Sequence, residues 1–440
     1  MNMETASRAD LVAYIAALEA AVAKLQARVR ELEARLGSSS PPGMPGLKPH
    51  GVSADAPKRP RKRRAQGYAR RRSRQPTQQV VHALEQCPQC GSGLVGGTVQ
   101  RRREVLEIPL VRARVIEHVY LARQCPQCRR RCVPAAGLEQ LVVGRQRLGM
   151  GLVSLITTLR EEGRLPFRTI QWYLRTVYGL HLSQGALVGA VQRVAQVGQP
   201  TVRAIQAAVQ ASAAVNADET GWRESGRNGY VWTFSTPTAQ YFVRGGRDKA
   251  MVDEALGPAF AGTLITDFYA AYDHYPGLKQ RCWAHLLREI DALTHQYPDD
   301  AAVQAWALEV QALYTRAKRS VPRPLPERRL DRRCFERQLA ALCEPGAADP
   351  TAPPRRLCAR VLKYLPELFT FVVEPGVPPD NNAAERSLRH LVTARKISGG
   401  TRSPEGSDAK MALCTLFGTW RAQGLNPLWT CRQLLRESQA

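Results

Sequence analysis

Two short cysteine pairs constrain the fold of this chain more than any other feature. Cys87-Pro-Gln-Cys90 and Cys125-Pro-Gln-Cys128 are separated by 34 residues. Four thiolates suit tetrahedral zinc and leave no open position for water, so we predict a structural Zn²⁺ site. The Val- and Ile-rich segments 103–108 and 111–120 predict a β-hairpin that brings the pairs together, as in a zinc ribbon. Residues 80–135 are thus interpreted as a zinc-binding domain.

The cysteine content and the distribution of apolar residues indicate the cellular compartment of the protein. The chain has 11 cysteines, an odd number, and five of them lie between positions 87 and 132, which favours metal binding in a reducing compartment over a disulfide framework. Arg8, Asp10 and Glu19 interrupt any signal-peptide core. No stretch approaches the roughly 18 apolar residues that a membrane span needs. We therefore expect a cytoplasmic protein with no membrane partner.

The first 36 residues carry a heptad repeat. β-branched residues at position a with Leu at position d favour a parallel two-stranded coil, so we predict a coiled coil over 1–36 and a homodimer or higher oligomer. An amphipathic helix packed on its own domain is the alternative. The apolar seam consists of Leu11, Ile15, Leu18, Val22, Leu25, Val29, Leu32 and Leu36.

A basic segment follows the heptads. The chain has 63 Lys and Arg against 38 Asp and Glu, a formal net charge of +25, and residues 57–74 contain ten bases and no acid. Residues 37–79 therefore predict a disordered basic linker that neutralises phosphates, hence a DNA partner, without reading base sequence. A solvated tail with no defined site is the alternative. The candidate DNA-binding residues here are Arg61, Lys62, Arg63, Arg64, Arg70, Arg71 and Arg72.

Residues 136–210 show a helical pattern. A helix from Phe167, a turn at Gly179 and a second helix capped by Ser183 fit a helix-turn-helix that enters a major groove. A plain helical hairpin fits equally well, and both interpretations stay open.

From residue 211 the pattern changes to short strands. Segments 213–217, 230–235, 240–244 and 263–266 predict strands, and 248–256 predicts a helix before the last of them. This β-β-β-α-β order is that of a ribonuclease-H-like domain. We assign 211–425 to it, with a helical insertion at about 280–375 and a tail at 426–440. The predicted fold class is therefore α/β and multidomain: coiled coil, zinc ribbon, helical region and ribonuclease-H-like domain.

Three acids stand where metal chemistry would need them. Asp218 and Asp267 are predicted at adjacent strand ends, and Glu385 opens a helix that can pack beside them. Carboxylates are suitable ligands for Mg²⁺ or Mn²⁺. Taken singly, each acid has a structural alternative: the two aspartates can cap turns, and Glu385 can complete a capping box from Asn382 or pair with Arg389.

Four motifs resemble those of a known family. They are Ala217-Asp-Glu-Thr220, Thr266-Asp-Phe-Tyr-Ala-Ala-Tyr272, Cys282-Trp-Ala-His285 with Arg288, and Asp380-Asn-Asn-Ala-Ala-Glu-Arg-Ser-Leu-Arg389. They are similar to the catalytic motifs of the insertion-sequence-66 family of DDE transposases, and the resemblance covers nearly the whole chain. It implies a two-metal enzyme that cuts DNA at element ends and joins the freed 3′-hydroxyl to target DNA.

The resemblance also assigns residue roles and partners. Asp218, Asp267 and Glu385 become the catalytic triad that binds Mg²⁺ or Mn²⁺, and Cys282 and His285 become supporting residues, although a core cysteine and a satisfied histidine remain open. The implied partners are element ends, target DNA and small helper proteins of the same element, in the nucleoid of a bacterial cytoplasm. Two alternatives remain open. One is an inactive DNA-binding remnant that acts as repressor or architectural factor, and the other is a nuclease that does not join DNA. The basic face beside the third acid consists of Arg386, Arg389, Arg395 and Lys396.

Overall fold

The computed structural model describes residue 22 and residues 77–439, except 109–110, 136, 139–140 and 144–145. Apart from residue 22, the predicted coiled coil over 1–36 lies outside the described residues, and so does the basic run at 57–74 with its seven candidate DNA-binding residues. The chain divides into two compact units, residues 1–107 and 108–440.

No strand occurs in the described residues of the predicted hairpin between the cysteine pairs, segments 103–108 and 111–120. Instead, β1 (Arg123–Gln124) pairs antiparallel with β2 (Arg131–Cys132). A hairpin needs a packed apolar face for stability. The exposed fractions of Val105 and Val115 are 74% and 91%, so these side chains supply no such face.

Four helices precede the main sheet: α1 (Met150–Glu161), α2 (Phe167–Tyr178), α3 (Gln184–Val197) and α4 (Gln199–Gln210). Helix α2 ends at Gly179, whose φ of +68° is the left-handed conformation that glycine adopts without strain. The Ser183 hydroxyl accepts a hydrogen bond of 3.2 Å from the Ala186 N–H and caps α3. The predicted order of helix, glycine turn and helix is thus observed.

A five-stranded mixed sheet forms the centre of the second unit. Its elements are β3 (Ala214–Glu224), β4 (Arg227–Ser235), β5 (Gln240–Gly245), helix α5 (Ala250–Leu256), β6 (Thr263–Thr266) and β7 (Lys279–Arg281). The spatial order is β5-β4-β3-β6-β7, with antiparallel pairs among the first three strands and parallel pairs from β3 to β6 and β6 to β7. The predicted β-β-β-α-β order is observed, and β7 is an additional strand.

Strand β3 runs further than the sequence predicted. It does not end at Asp218 but pairs with β4 as far as Glu224, where Ser225 and Gly226, both at positive φ, form a two-residue turn. On its other edge, β3 pairs with β6 only as far as Asn216. Asp218 therefore lies just beyond the parallel pairing, on an edge that β6 no longer covers.

Helices fill the rest of the chain. They are α6 (Trp283–Gln296), α7 (Ala301–Ser320), α8 (Leu325–Ala348), α9 (Arg355–Lys363), α10 (Thr370–Val373), α11 (Asn382–Ser398), α12 (Pro404–Ala422) and α13 (Pro427–Glu437). Helices α6–α10 occupy the segment predicted as a helical insertion. The predicted tail is instead helix α13, which packs on α1 and buries Cys431 and Leu435.

The cores explain why these helices belong with the sheet. One core joins α1–α4, α12 and α13 to Val215 and Ala217 of β3, so residue 210 does not separate two compact units. A second core joins α6–α10 to Ile265 of β6. A third places α11 and α12 against Trp222 and Val231. In the described part of the chain, no helix combines the length and apolar character needed to cross a membrane.

Candidate active site

Asp218 lies on the central strand β3 among other acids. Its Oδ1 accepts a hydrogen bond of 2.9 Å from the Glu219 N–H. Burial, together with the negative charges of Asp267, Glu219 and Glu385, raises the pKa of the Asp218 carboxyl to about 7, although that hydrogen bond opposes the rise. The charges of Asp267 and Glu385 both act on Asp218, so the three predicted acids lie in the same region of the fold.

Asp267 follows the last residue of β6. Its Oδ1 accepts a hydrogen bond of 2.9 Å from the Tyr269 N–H, so the carboxylate also caps the turn that leads into the 3₁₀ segment Ala270–Tyr272. Its backbone carbonyl accepts a hydrogen bond of 2.8 Å from the buried guanidinium of Arg281. Arg281 is itself fixed by Asp273, which lies 2.5 Å away. The predicted capping role is therefore real, and it orients the carboxylate.

Glu385 lies in the first turn of α11, and its Oε1 is 2.6 Å from Arg288 Nη2 of α6. His285 Nε2 lies 3.6 Å from the same oxygen. The proposed capping box is wrong, because the helix begins at Asn382 and its N-cap makes no side-chain hydrogen bond. Among the described residues, no ion pair joins Glu385 to Arg389. Glu385 pairs instead with Arg288, which lies in the helical insertion.

Glu219 is a fourth acid that the sequence did not single out. Its side chain is 3% exposed, and its Oε1 lies 2.9 Å from Arg247 Nη2. The Tyr272 hydroxyl donates a hydrogen bond of 2.8 Å to Oε2. Burial raises the pKa of Glu219, and the hydrogen bond from Arg247 opposes that effect. Neighbouring strand residues point to opposite faces, so the pattern alone gave no reason to group Glu219 with Asp218.

The two supporting residues lie beside the acids. Cys282 is fully buried at the start of α6, and its Sγ accepts a hydrogen bond of 3.1 Å from the Asn381 N–H. Burial raises the pKa of the Cys282 thiol, so it stays neutral at physiological pH. His285 faces Glu385 through Nε2, while its Nδ1 is buried without a hydrogen-bond partner in the described part of the chain.

The basic residues of α11 divide into two groups. Arg386, Arg389 and Lys396 are exposed. Arg395 is half-buried, and its Nη1 donates hydrogen bonds to the Thr220 hydroxyl, at 3.1 Å, and to the Gly221 carbonyl. Arg395 therefore joins α11 to β3, which is a structural contact, and the other three side chains remain open to solvent.

Each cysteine pair forms a tight turn. In the first unit, the Gly91 N–H donates to the Cys87 carbonyl at 2.9 Å, and hydrogen bonds from Ser92 lower the pKa of the Cys90 thiol. In the second unit, the Arg129 N–H makes the same bond to the Cys125 carbonyl, also at 2.9 Å. Backbone N–H groups of Cys128 and Gln127 lower the pKa of the Cys125 thiol. Amide donors aimed at sulfur favour thiolates, the form that binds zinc.

The cysteine pairs belong to different compact units, and the three acids belong to the second unit. No group of three or more His, Cys, Asp or Glu side chains able to hold a metal ion occurs within residues 77–439 as described. At the carboxylate site the chemistry nevertheless fits Mg²⁺ or Mn²⁺, because all donors are hard oxygens. The raised pKa of Asp218, due to burial and neighbouring charge, marks a site whose repulsion a divalent cation relieves.

Comparison with known proteins identifies the family of the chain. Residues 145–409 match the family described as "Transposase IS66 family", and residues 85–129 match the "zinc-finger binding domain of transposase IS66". A protein of Sinorhizobium fredii (strain NBRC 101917 / NGR234) named "Uncharacterized protein y4jO" is 39% identical over 71 residues. That match covers 16% of this chain and 22% of the relative's length. The family match spans more than half of the chain and all three acids, so the chain belongs to the IS66 family of transposases.

Proposed function

We propose that this transposase cleaves DNA at the ends of its element and transfers the freed ends to target DNA at a DDE site. The observation that carries the proposal is the electrostatic coupling of Asp218 to Asp267 and Glu385, which come from β3, the end of β6 and helix α11. Three antiparallel strands followed by two parallel ones, in the order β5-β4-β3-β6-β7, support a ribonuclease-H-like domain.

Asp218, Asp267 and Glu385 are the proposed ligands of Mg²⁺ or Mn²⁺. When bound, a pair of such ions activates the attacking oxygen and stabilises the leaving oxygen of a phosphodiester. The chain's own contribution is to hold the carboxylates in place. Asp218 and Asp267 accept backbone hydrogen bonds of 2.9 Å each, which fix one oxygen and leave the other side of each carboxylate available.

The cations around the acids balance their charge. Arg247 and Tyr272 hold Glu219, so this fourth carboxylate supports the site from the side and is not proposed as a ligand. Arg288 is 57% exposed, and its Nη2 lies 2.6 Å from Glu385 Oε1, so it fixes the third carboxylate. His285 closes the same side of Glu385.

Several parts of the chain are proposed to bind DNA. Arg386, Arg389 and Lys396 form an exposed basic face beside the third acid. The helix-turn-helix interpretation of α2 and α3 gains support because residues 163–217 contain no acid at all. The exposed face of α2 carries Arg168 and Arg175, which suit the phosphate contacts that the first helix of a helix-turn-helix makes with duplex DNA.

The remaining predictions complete the proposal. Cys87, Cys90, Cys125 and Cys128 are the proposed ligands of a structural Zn²⁺, and the basic segment 57–74 adds phosphate contacts that carry no sequence information. The heptads at 1–36 are proposed to form a dimer or higher oligomer. We place the protein in the bacterial cytoplasm at the nucleoid, with small helper proteins of the same element as further partners.

A strand-transfer assay tests this function. Purified protein is incubated with labelled DNA taken from the ends flanking its gene, with target DNA and Mg²⁺. We expect labelled DNA to be joined to the target, and Asp218→Asn to abolish both cleavage and joining. Asp299→Asn, an exposed aspartate outside the site, is the matched control and should keep full activity.

The same assay separates the competing functions. Specific binding of the ends with no cleavage in Mg²⁺ or Mn²⁺ would identify an inactive remnant that acts as repressor or architectural factor. Cleavage without joining would identify a nuclease. Either result would overturn the proposed transposition chemistry.

A further inference from the structure

Two buried residues outside the triad, Cys282 and Asn381, connect the backbones that carry the three acids. Both are fully buried, and neither is a proposed metal ligand. Cys282 is the N-cap of α6, and Asn381 is the N-cap of α11. Each therefore stands where a helix begins, next to the end of β6 and the middle of β3.

Their hydrogen bonds form one continuous chain. The Cys282 N–H donates 2.8 Å to the carbonyl of Thr266, the residue before Asp267. The Cys282 sulfur accepts 3.1 Å from the Asn381 N–H. The Asn381 Nδ2 donates 2.7 Å to the carbonyl of Ala217, the residue before Asp218.

The chain also reaches the third acid. The Asn381 carbonyl accepts 3.2 Å from the Glu385 N–H, the first hydrogen bond of α11. The Asn381 Oδ1 accepts 2.9 Å from the Asn216 side chain, which fixes the amide orientation. The Asn381 side chain thus contacts β3 through both its donor and its acceptor. The Asn381 backbone contacts Cys282 at the start of α6 and makes the first hydrogen bond of α11, the helix that carries Glu385.

The residue types suit this role. A buried polar side chain is stable only when its hydrogen bonds are made, and a fully satisfied buried network is rigid. Asparagine supplies a donor and an acceptor without charge. Aspartate in its place would lose the donor to the Ala217 carbonyl and bury a negative charge next to Asp218. A neutral thiol at position 282 accepts the Asn381 N–H without adding charge.

We propose that Cys282 and Asn381 are positioning residues that set the spacing of Asp218, Asp267 and Glu385 and thereby the affinity of the site for divalent cations. This inference rests on the proposed function and names two residues that act through the acids. Breaking either link lets the helix bearing Glu385 shift relative to the two strands. Loss of such supporting contacts weakens metal binding by about 10- to 100-fold.

The test measures Mn²⁺ binding by calorimetry without DNA, in the full-length protein, beside the midpoint of unfolding. Asn381→Ala and Cys282→Ala should each weaken the Asp218-dependent Mn²⁺ binding by about tenfold or more. Cys282→Ser keeps an acceptor and should restore the affinity to within about threefold of the parent. DNA affinity without metal should stay unchanged in all three variants.

Ser387→Ala is the matched control, because its hydroxyl makes a buried hydrogen bond of 3.0 Å from the same helix to Thr233. It should lower the unfolding midpoint without changing Mn²⁺ affinity. Equal losses of affinity in Ser387→Ala and Asn381→Ala, or parent-like affinity in Asn381→Ala and Cys282→Ala, would overturn the positioning role. If Asp218→Asn leaves Mn²⁺ binding unchanged, the proposed metal site itself is wrong, which is a separate outcome.

Discussion

Replacing Asp218 by asparagine should stabilise the metal-free protein while abolishing its chemistry. The carboxyl has a pKa raised from its ordinary 3.8 to about 7, first by burial and then by Asp267, Glu219 and Glu385. Asparagine has nearly the same shape and keeps an oxygen to accept the Glu219 N–H. It lacks the charge that the folded state disfavours.

The magnitude follows from the linkage between pKa and stability. Each pH unit between the unfolded and folded pKa values is worth about 1.4 kcal/mol, so ionised Asp218 costs the folded protein roughly 4 kcal/mol above pH 7. The sign is fixed because the folded state binds the proton more tightly than the unfolded chain. The cost therefore shrinks as pH falls from about 7 towards 3.8, and the gain from Asp218→Asn shrinks with it.

Chemical denaturation of both proteins with a metal chelator present, at several pH values between 5 and 8.5, measures this effect. We expect Asp218→Asn to be more stable at pH 8 and to lose most of that advantage by pH 5. Asp299→Asn, the exposed control, should stay within about 0.5 kcal/mol of the parent. Saturating Mg²⁺ should stabilise the parent but not the variant, by about 2.7 kcal/mol at a hundredfold excess over Kd. A variant that is no more stable than the parent at pH 8, or a gain independent of pH, would refute this reasoning.

Three further predictions concern residues around the site and in the cysteine pairs. Arg395→Met should lower the free energy of unfolding by about 1.5–3 kcal/mol, because it removes charged hydrogen bonds to β3. Lys396→Ala, one residue along the helix, should leave stability unchanged and reduce the log–log salt slope of DNA binding by about 1. A loss of stability in Lys396→Ala, or a reduced salt slope with unchanged stability in Arg395→Met, would contradict these roles. Cys125→Ser should remove zinc from the purified protein by elemental analysis, whereas Cys132→Ser should retain it. Tyr272→Phe should destabilise the protein by about 1–3 kcal/mol in urea denaturation, because it leaves the buried carboxylate of Glu219 without one donor; a change below 0.5 kcal/mol would contradict that role.

The order of the catalytic elements was predictable because local patterns carry it. Short β-rich runs, the glycine turn at Gly179 and the Ser183 cap each act within a few residues, and the observed strands and helices follow them. The strand Lys279–Arg281 was not predictable, since Gln280 and Arg281 are polar yet fully buried. Arg281 is buried only because Asp273 and Glu367 reach it from other parts of the chain.

The metal-binding residue types, the two cysteine pairs and the order of the three acids could be predicted without a structure, because they are properties of side chains and short spacings. Which side chains meet depends on tertiary packing. It paired Glu385 with Arg288 and not with Arg389, since a helix 97 residues away packs beside it. It joined Arg395 to β3 and linked the acids through Cys282 and Asn381. Such contacts join residues distant in the chain, and they arise only when separate elements bury their apolar faces together.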